Sequence, residues 1–234
     1  MEFYHSNKSK MNLPTLPLEY KIQFSTSYKK KKACLILLHG YGSNEEDLFS
    51  FAPYLPSEYT ILSFRAPIDL GMGGYAWSNI HESLENKYTV IKEAIESLNL
   101  IEKTIKLSIA RFDLDENDIS LIGFSQGCVL SWAMAINKPL LIRRAVALSG
   151  YIVPELLKIS TDKVSNLLIF NSHGKSDQMI PIEKARESFN LIKKNNPNIT
   201  YKEYNEGHGI NQENFSDFLL WIKTTSLQDK GNVQ

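Results

Sequence analysis

The residues most suggestive of chemistry stand in positions 119–127, where an apolar run ends in the pattern Gly-x-Ser-x-Gly. A nucleophile elbow holds its serine on a strained strand-to-helix turn, and the crowded backbone there requires glycine on either side. Gly123 and Gly127 meet this requirement, and a helix-forming apolar stretch follows. The N-terminus of that helix would direct N–H groups toward an oxyanion. We take Ser125 as the candidate nucleophile, with an ordinary glycine-bounded turn as the alternative.

A serine hydroxyl is a poor nucleophile at neutral pH, so it needs an imidazole base and a carboxylate that orients the imidazole. In sheets that carry such an elbow, the order along the chain is serine, acid, histidine. Of the five histidines, only His208 lies beyond both the elbow and a candidate acid. Asp177 follows the next-to-last predicted strand, whereas Asp162 precedes that strand and Asp217 lies on the last helix. We expect His208 to be the base and Asp177 the orienting acid.

A second glycine-bearing turn follows an earlier buried strand and reads His39-Gly40-Tyr41-Gly42. Paired glycines let a backbone approach a ligand, so the N–H groups around Tyr41 are candidate oxyanion donors. The alternative is a tight turn between a strand and a helix. We expect His39 and His173, which each precede a glycine, to stabilise their loops by hydrogen bonding, without a chemical role.

Composition narrows the class of protein. The chain has 234 residues, 43% of them hydrophobic, which suits the core of one large domain. Its 26 basic and 26 acidic residues balance, so no net field favours nucleic acid or an anionic membrane. The amino end lacks the apolar region of a secretory signal and no run is long enough to span a bilayer, so we expect a cytoplasmic protein. Cys34 and Cys128 show no disulfide or metal-ligand spacing, and we expect buried thiols.

Strand-like and helix-like segments alternate along the chain, which predicts a mostly parallel sheet with helices on both faces and ligands at the carboxyl ends of the strands. We expect one α/β domain over residues 17–225, between flexible tails at 1–16 and 226–234. The run of four lysines at 29–32 is interpreted as the solvated tip of a hairpin. Further strands are predicted at 18–24, 33–38, 59–64, 145–149, 166–170 and 199–204, and helices at 45–52, 88–111, 126–137, 182–194 and 214–224.

Four segments resemble, in family order, those of the phospholipase/carboxylesterase family of α/β-hydrolases, which includes the acyl-protein thioesterases. They are Leu-Leu-His-Gly-Tyr-Gly-Ser-Asn-Glu-Glu-Asp-Leu, Gly-Phe-Ser-Gln-Gly, His-Gly-Lys-Ser-Asp-Gln-Met-Ile-Pro and Glu-Gly-His-Gly-Ile. The resemblance implies that Ser125, Asp177 and His208 are a catalytic triad. It also implies that the N–H groups of Tyr41 and Gln126 form the oxyanion hole.

Two departures from the family pattern leave the triad intact. Cys128 stands where many members have a third glycine, and the final loop reads His-Gly-Ile where thioesterase relatives usually place the histidine after a Met- or Gly-containing turn. These differences argue against assigning acyl-protein specificity from the resemblance.

Residues 66–88 form the one long stretch of little periodicity between predicted elements, and the stretch is too short for an independent cap domain. We therefore expect an α/β-hydrolase fold without a separate cap, with an open groove as the acyl site. Trp77 resembles a tryptophan that lines this site in the family, so we expect Trp77 and Tyr75 to form one wall of the groove. The alternative is that Trp77 anchors the loop to the core.

The resemblance implies a serine hydrolase, without metal or cofactor, that cleaves carboxylic esters of short to medium acyl chains through a covalent acyl-enzyme. An acyl-protein thioesterase or lysophospholipase is the alternative, and a non-catalytic ligand-binding protein on the same scaffold is a third. We expect a small ester or thioester as partner, no nucleic acid and no integral membrane association, and we leave a homodimer open.

Overall fold

The computed structural model describes residues 14–80, 87–158 and 164–227. The expected N-terminal tail lies outside the described residues up to residue 13, and the expected C-terminal tail lies outside them from residue 228. Asp162, the acid rejected on sequence grounds, also lies outside them.

A seven-stranded sheet forms the centre of the fold. Its strands are β1 Tyr20–Gln23, β2 Lys32–Leu38, β3 Thr60–Phe64, β6 Leu114–Phe124, β7 Arg144–Leu148, β8 Leu168–Gly174 and β9 Ile199–Tyr204; β4 Ile68–Gly71 and β5 Gly74–Ala76 form a separate two-stranded hairpin. The order across the large sheet is β1-β3-β2-β6-β7-β8-β9. β1 is antiparallel to β3, and every other neighbouring pair is parallel.

Helices cover both faces of this sheet. They are α1 Glu46–Phe49, α2 Lys87–Arg111, α3 Gln126–Asn137, α4 Ile182–Lys193 and α5 Gln212–Thr224. Buried residues of α2, α3 and α4 share one hydrophobic cluster, while those of α1 and α5 share a second. In β2, Ile36 belongs to the first cluster and Leu35 and Leu37 belong to the second. Because successive side chains of a strand point to opposite faces, this burial explains the unbroken apolar run of the sequence.

The mostly parallel sheet with helices on both faces is confirmed, and the described residues contain no separate cap. The strand before the elbow, β6, lies next to β2, and from this pair the chain extends the sheet in both directions. Ligand sites in open α/β sheets form at the carboxyl ends of strands where the strand order reverses in this way. The topology therefore brings the turns after β2 and β6 together.

Two sequence predictions were wrong in detail. The lysine run is solvated but is not a hairpin tip, because β2 is enclosed between β3 and β6 and the first strand pairs with β3 instead. The stretch 66–88 is not wholly irregular, since β4 and β5 form a hairpin. Its turn uses positive φ at Gly71, Met72 and Gly73, and its strands are too short to show a periodic pattern.

Candidate active site

Ser125 occupies the turn between β6 and α3 with φ of 54° and ψ of −114°, a backbone conformation that few residues other than glycine adopt. A Cβ on Gly123 would lie 2.3 Å from the Gly127 carbonyl oxygen, and a Cβ on Gly127 would lie 2.0 Å from the Leu38 carbonyl oxygen. The prediction that a crowded backbone requires glycine beside the elbow is confirmed.

The structure brings Ser125, His208 and Asp177 into one hydrogen-bonded chain. His208 Nε2 lies 2.9 Å from Ser125 Oγ, and His208 Nδ1 lies 2.8 Å from Asp177 Oδ2. A carboxylate can only accept, so Nδ1 carries the proton and Nε2 is left free to accept the serine proton. Such a chain can transfer the hydroxyl proton to the imidazole while the carboxylate stabilises the resulting charge.

The second carboxylate oxygen of Asp177 is held by its own loop. Asp177 Oδ1 accepts hydrogen bonds from the backbone N–H groups of Met179 and Ile180, both at 2.9 Å. Burial by itself raises the pKa of the Asp177 carboxyl, but the hydrogen bonds from His208, Ile180 and Met179 together lower the pKa below its usual value. The carboxylate is therefore ionised at neutral pH and fixed in orientation.

The loops that carry the acid and the histidine are packed against each other. Ser176 N–H donates to the Glu206 carbonyl at 3.0 Å, and Lys175 N–H donates to the Tyr204 carbonyl at 2.8 Å. A Cβ on Gly174 would lie only 2.1 Å from the Gly207 carbonyl oxygen. Glycine at the end of β8 thus permits the close approach that brings Asp177 within reach of His208.

His173 stabilises the loop that carries Asp177. Its Nε2 donates to the Ile180 carbonyl at 2.8 Å and lies 3.2 Å from Asp177 Oδ2. The ring therefore supports the acid loop from inside the core, which is the loop-stabilising role expected for it. Its position directly before Gly174, at the end of the strand that leads to the acid, was the only signal of this in the sequence.

Tyr41 and Gln126, the expected oxyanion residues, follow β2 and begin α3. A Cβ on Gly40 would lie 3.4 Å from Ser125 Cβ, so the Gly40–Tyr41 turn passes beside the nucleophile. Among the hydrogen bonds within the described residues, none is donated by the backbone N–H of Tyr41 or Gln126. Two N–H groups in the turns beside Ser125 are thus available for an oxyanion, and their role as donors stays a prediction.

The expected groove wall is corrected by the structure. Trp77 has no exposed surface, and its Nε1 donates to the His39 carbonyl at 3.0 Å. An indole whose N–H bonds to a core carbonyl is held inside, so it does not line an open groove, and the anchoring alternative describes its position. Tyr75 is half-buried, with the Arg65 guanidinium 4.8 Å from its ring centroid. Its role in binding stays a prediction.

A family model described as phospholipase/carboxylesterase matches residues 22–226. The chain belongs to the phospholipase/carboxylesterase family. Membership makes it a hydrolase of the carboxylesterase type, in agreement with the sequence prediction.

Individual relatives support the same family assignment. Acyl-protein thioesterase 1 of Saccharomyces cerevisiae is 29% identical over 176 residues, covering 69% of this chain and 77% of the relative. Acyl-protein thioesterase 1 of Kluyveromyces lactis is 27% identical over 218 residues, covering 86% of this chain and 95% of the relative. The crystal structure of the Bacillus cereus carboxylesterase superposes with a TM-score of 0.77 at 20% identity, covering 88% of this chain and 94% of that one, which shows a shared fold.

Across 14–80, 87–158 and 164–227, no helix is both long enough and apolar enough to cross a bilayer. Within the same ranges, no three His, Cys, Asp or Glu side chains cluster in a way that could hold a metal ion. Cys34 and Cys128 are buried free thiols, as expected, and burial raises the pKa of both.

Proposed function

We propose that the chain is a serine esterase that cleaves carboxylic esters of short to medium acyl chains through a covalent acyl-enzyme on Ser125. The observation that carries this proposal is the hydrogen-bonded chain from Ser125 through His208 to Asp177. Family membership excludes neither esters nor thioesters, but it argues against a purely ligand-binding role for a scaffold that retains this chain.

The steps of the reaction follow from the positions of these groups. As Ser125 Oγ attacks the carbonyl carbon, His208 Nε2 accepts the hydroxyl proton, and Asp177 stabilises the imidazolium. The Tyr41 and Gln126 N–H groups stabilise the oxyanion of the tetrahedral intermediate. His208 then gives its proton to the departing alcohol, leaving the acyl group on Ser125. Water activated by His208 hydrolyses this acyl-enzyme and regenerates the hydroxyl.

The preference for a modest acyl chain is supported by exposed apolar side chains on the turns that carry site residues. Tyr41 in the turn after β2 and Met179 in the acid loop present exposed apolar side chains, with 41% and 74% of their surface accessible. These side chains offer apolar contact to an acyl group without enclosing it. An acyl-protein thioesterase or lysophospholipase activity is the second candidate, because the relatives of Saccharomyces cerevisiae and Kluyveromyces lactis are named as thioesterases.

A substrate panel tests both candidates. Purified protein is assayed with p-nitrophenyl esters from acetyl to decanoyl, with an S-acylated peptide and with a lysophospholipid, and Ser125→Ala serves as the matched control. We expect the highest kcat/KM on esters of about two to eight acyl carbons and no turnover by the control. A higher kcat/KM on the S-acylated peptide or the lysophospholipid would favour the second candidate. Failure to cleave any of these substrates would contradict both.

Domain bounds and cellular location are proposed here as well. We propose that the hydrolase domain spans residues 17–225 and that the protein acts in the cytoplasm. A homodimer stays open, and light scattering of the purified protein would decide between it and a monomer.

A further inference from the structure

Trp77 forms hydrogen bonds with both segments of the proposed oxyanion hole. One partner is His39, two residues before Tyr41, and the other is Gln126. Its indole Nε1 donates to the His39 carbonyl at 3.0 Å. Its backbone N–H donates to Gln126 Oε1 at 2.8 Å. One buried residue thus binds the turn after β2 and the first residue of α3, the two segments that meet at Ser125.

The first of these contacts positions the Tyr41 N–H indirectly, because Trp77 holds His39 and His39 holds the Gly40–Tyr41 peptide group. The indole of Trp77 packs against the His39 ring, with centroids 5.4 Å apart. His39 Nδ1 donates to the Gly40 carbonyl at 2.7 Å, and His39 Nε2 accepts from Ala66 N–H at 3.1 Å. The Gly40 carbonyl and the Tyr41 N–H belong to one planar trans peptide group, so fixing the carbonyl also fixes the direction of the N–H.

The second contact leads to the Gln126 N–H. The Gln126 amide nitrogen donates to the Ser78 carbonyl at 2.7 Å and to Ser78 Oγ at 3.0 Å, while its oxygen accepts from Trp77. The side chain is therefore held at both ends of its amide by the Trp77–Ser78 segment. Holding it restricts the first residue of α3, whose own N–H is the second proposed donor.

The segment that makes these contacts is itself fixed to the core. Ser97 on α2 donates through Oγ to the Trp77 carbonyl at 2.5 Å. The β4–β5 hairpin that precedes Trp77 is bonded to the turn after β2, because Gly42 N–H donates to the Tyr75 carbonyl at 2.9 Å and Tyr75 N–H donates to the Ser43 carbonyl at 2.7 Å. Trp77 therefore has little freedom to move independently of the core.

We propose that Trp77 is a positioning residue that sets the directions of both oxyanion donors, through the His39 carbonyl on one side and the Gln126 side chain on the other. This inference rests on the proposed serine esterase function. Because preorganised donors act on the charge that develops in the transition state, loss of positioning lowers kcat more than it changes substrate binding.

A pair of Trp→Phe variants tests this role. Trp77→Phe retains a buried aromatic ring but loses the N–H that holds the His39 carbonyl. Trp132→Phe is the matched control, because Trp132 on α3 is equally buried and, within the described residues, its Nε1 has no hydrogen-bond partner. We expect Trp77→Phe to lower kcat about 10- to 100-fold, a fraction of the loss caused by removing one oxyanion donor, with KM little changed. Trp132→Phe keeps kcat close to wild type.

Two further readouts separate positioning from other roles. An aryl boronic acid that mimics the tetrahedral intermediate should bind Trp77→Phe more weakly, in proportion to the loss in kcat/KM. The loss should also be equal for acetyl and octanoyl esters. Gln126→Met, which keeps the volume of the side chain and the backbone N–H, cuts the second contact and should lower kcat with the same signature, even if Trp77→Phe does not fold.

Results against the positioning role can be distinguished from failure of the proposed esterase function. Equal kcat for Trp77→Phe and Trp132→Phe, with thermal unfolding showing both folded, would overturn the proposal while wild-type activity remained. A loss that grew with acyl length would instead assign Trp77 to substrate binding and also overturn it. Failure of the proposed esterase function would appear differently, as a wild-type protein that cleaves no ester.

Discussion

The two ends of the central sheet each bury a carboxylate beside a basic side chain. They differ in whether the hydrogen-bonding groups around the base all have partners. At the amino ends of the strands, Arg144 is fully buried and its Nη2 lies 2.8 Å from Asp118 Oδ1. At the carboxyl ends, the side chain of Asp177 is buried, but that of His208 is 21% exposed, and within the described residues its Nε2 forms a hydrogen bond only with the Ser125 hydroxyl.

Every nitrogen of the Arg144 guanidinium is bonded. Besides Asp118, it donates to Ser120 Oγ at 2.9 Å, to the Ile222 carbonyl at 3.0 Å and to Tyr59 Oη at 3.0 Å. These bonds connect β6, β7, α5 and the start of β3. A guanidinium cannot lose its proton in a protein, so the basic partner in this cluster cannot act as a proton acceptor.

The site at the other end has the opposite properties. His208 can change protonation state, the Ser125 backbone is strained, and the N–H groups of the two neighbouring turns are left for a ligand. Burial of an acid beside a base therefore does not by itself predict chemistry. What distinguishes the two clusters is whether the base can release a proton and whether donors remain unpaired.

The largest expected effect is on the catalytic side. His208→Ala removes the base and should lower turnover by about a million-fold, by analogy with other triads. Its free energy of unfolding should change much less, because the Asp177 carboxylate keeps the hydrogen bonds from the Met179 and Ile180 N–H groups. Steady-state ester hydrolysis and urea unfolding measure the two quantities. Retention of more than about a thousandth of wild-type turnover would remove His208 from the triad.

Removing the base of the Arg144–Asp118 cluster should have the opposite effects, a loss of stability with little change in turnover. Arg144→Met leaves Asp118 buried without its main partner and should lower the free energy of unfolding by about 3–5 kcal/mol. The remaining folded protein should hydrolyse ester at close to the wild-type rate. Arg143→Met is the matched control, since its side chain is partly exposed and lies 3.5 Å from the same carboxylate oxygen. A similar loss of stability in both variants would contradict the assigned difference.

How much of this could be read from the sequence depends on whether the cause was local. Gly123 and Gly127 revealed the elbow because the whole pattern lies within five residues of sequence, although the carbonyl that crowds Gly127 belongs to the distant Leu38. The chain order of Ser125, Asp177 and His208 is set by the fold class. The sequence left Trp77 open between a groove wall and an anchor to the core, because its partner His39 lies 38 residues away along the chain. No feature of the sequence near position 77 indicates that the indole N–H donates to the His39 carbonyl.

The Arg144 cluster and the pairing of β1 were missed for a related reason. Arg144 is bonded to three side chains and one carbonyl from three distant segments, so its pattern in the sequence is only a basic residue at the start of a strand. The first strand pairs with β3 rather than with its neighbour in sequence, because β2 already has partners on both edges. Local periodicity predicts elements, while their partners depend on the whole topology.

A smaller effect, on the pH dependence of stability, is expected from His39. Its side chain is buried, like that of Arg144, and can change protonation state, like that of His208. Burial is the main cause that lowers the pKa of the His39 imidazole, and it outweighs the opposing influence of the Gly40 carbonyl, Asp47 and Glu45. Below the unfolded pKa of about 6.5, the unfolded chain therefore binds a proton that the native state does not. Stability falls as pH decreases from there toward the lower native pKa.

The slope of this fall is at most about 1.4 kcal/mol per pH unit. His39→Asn cannot titrate, so its free energy of unfolding, measured in urea between pH 5 and 7, should depend less steeply on pH than that of wild type. Identical slopes for the two proteins would show that the native imidazole takes up the proton without cost.

The central claim, that Ser125 carries the acyl group, is tested most directly by intact-protein and peptide mass spectrometry after rapid acid quench of the enzyme with excess p-nitrophenyl octanoate. The predicted result is a mass increase of one octanoyl group, mapped to the peptide that contains Ser125, together with a stoichiometric burst of p-nitrophenol. Ser125→Ala should show neither. An acyl adduct on another residue, or a burst that survives in Ser125→Ala, would contradict the account.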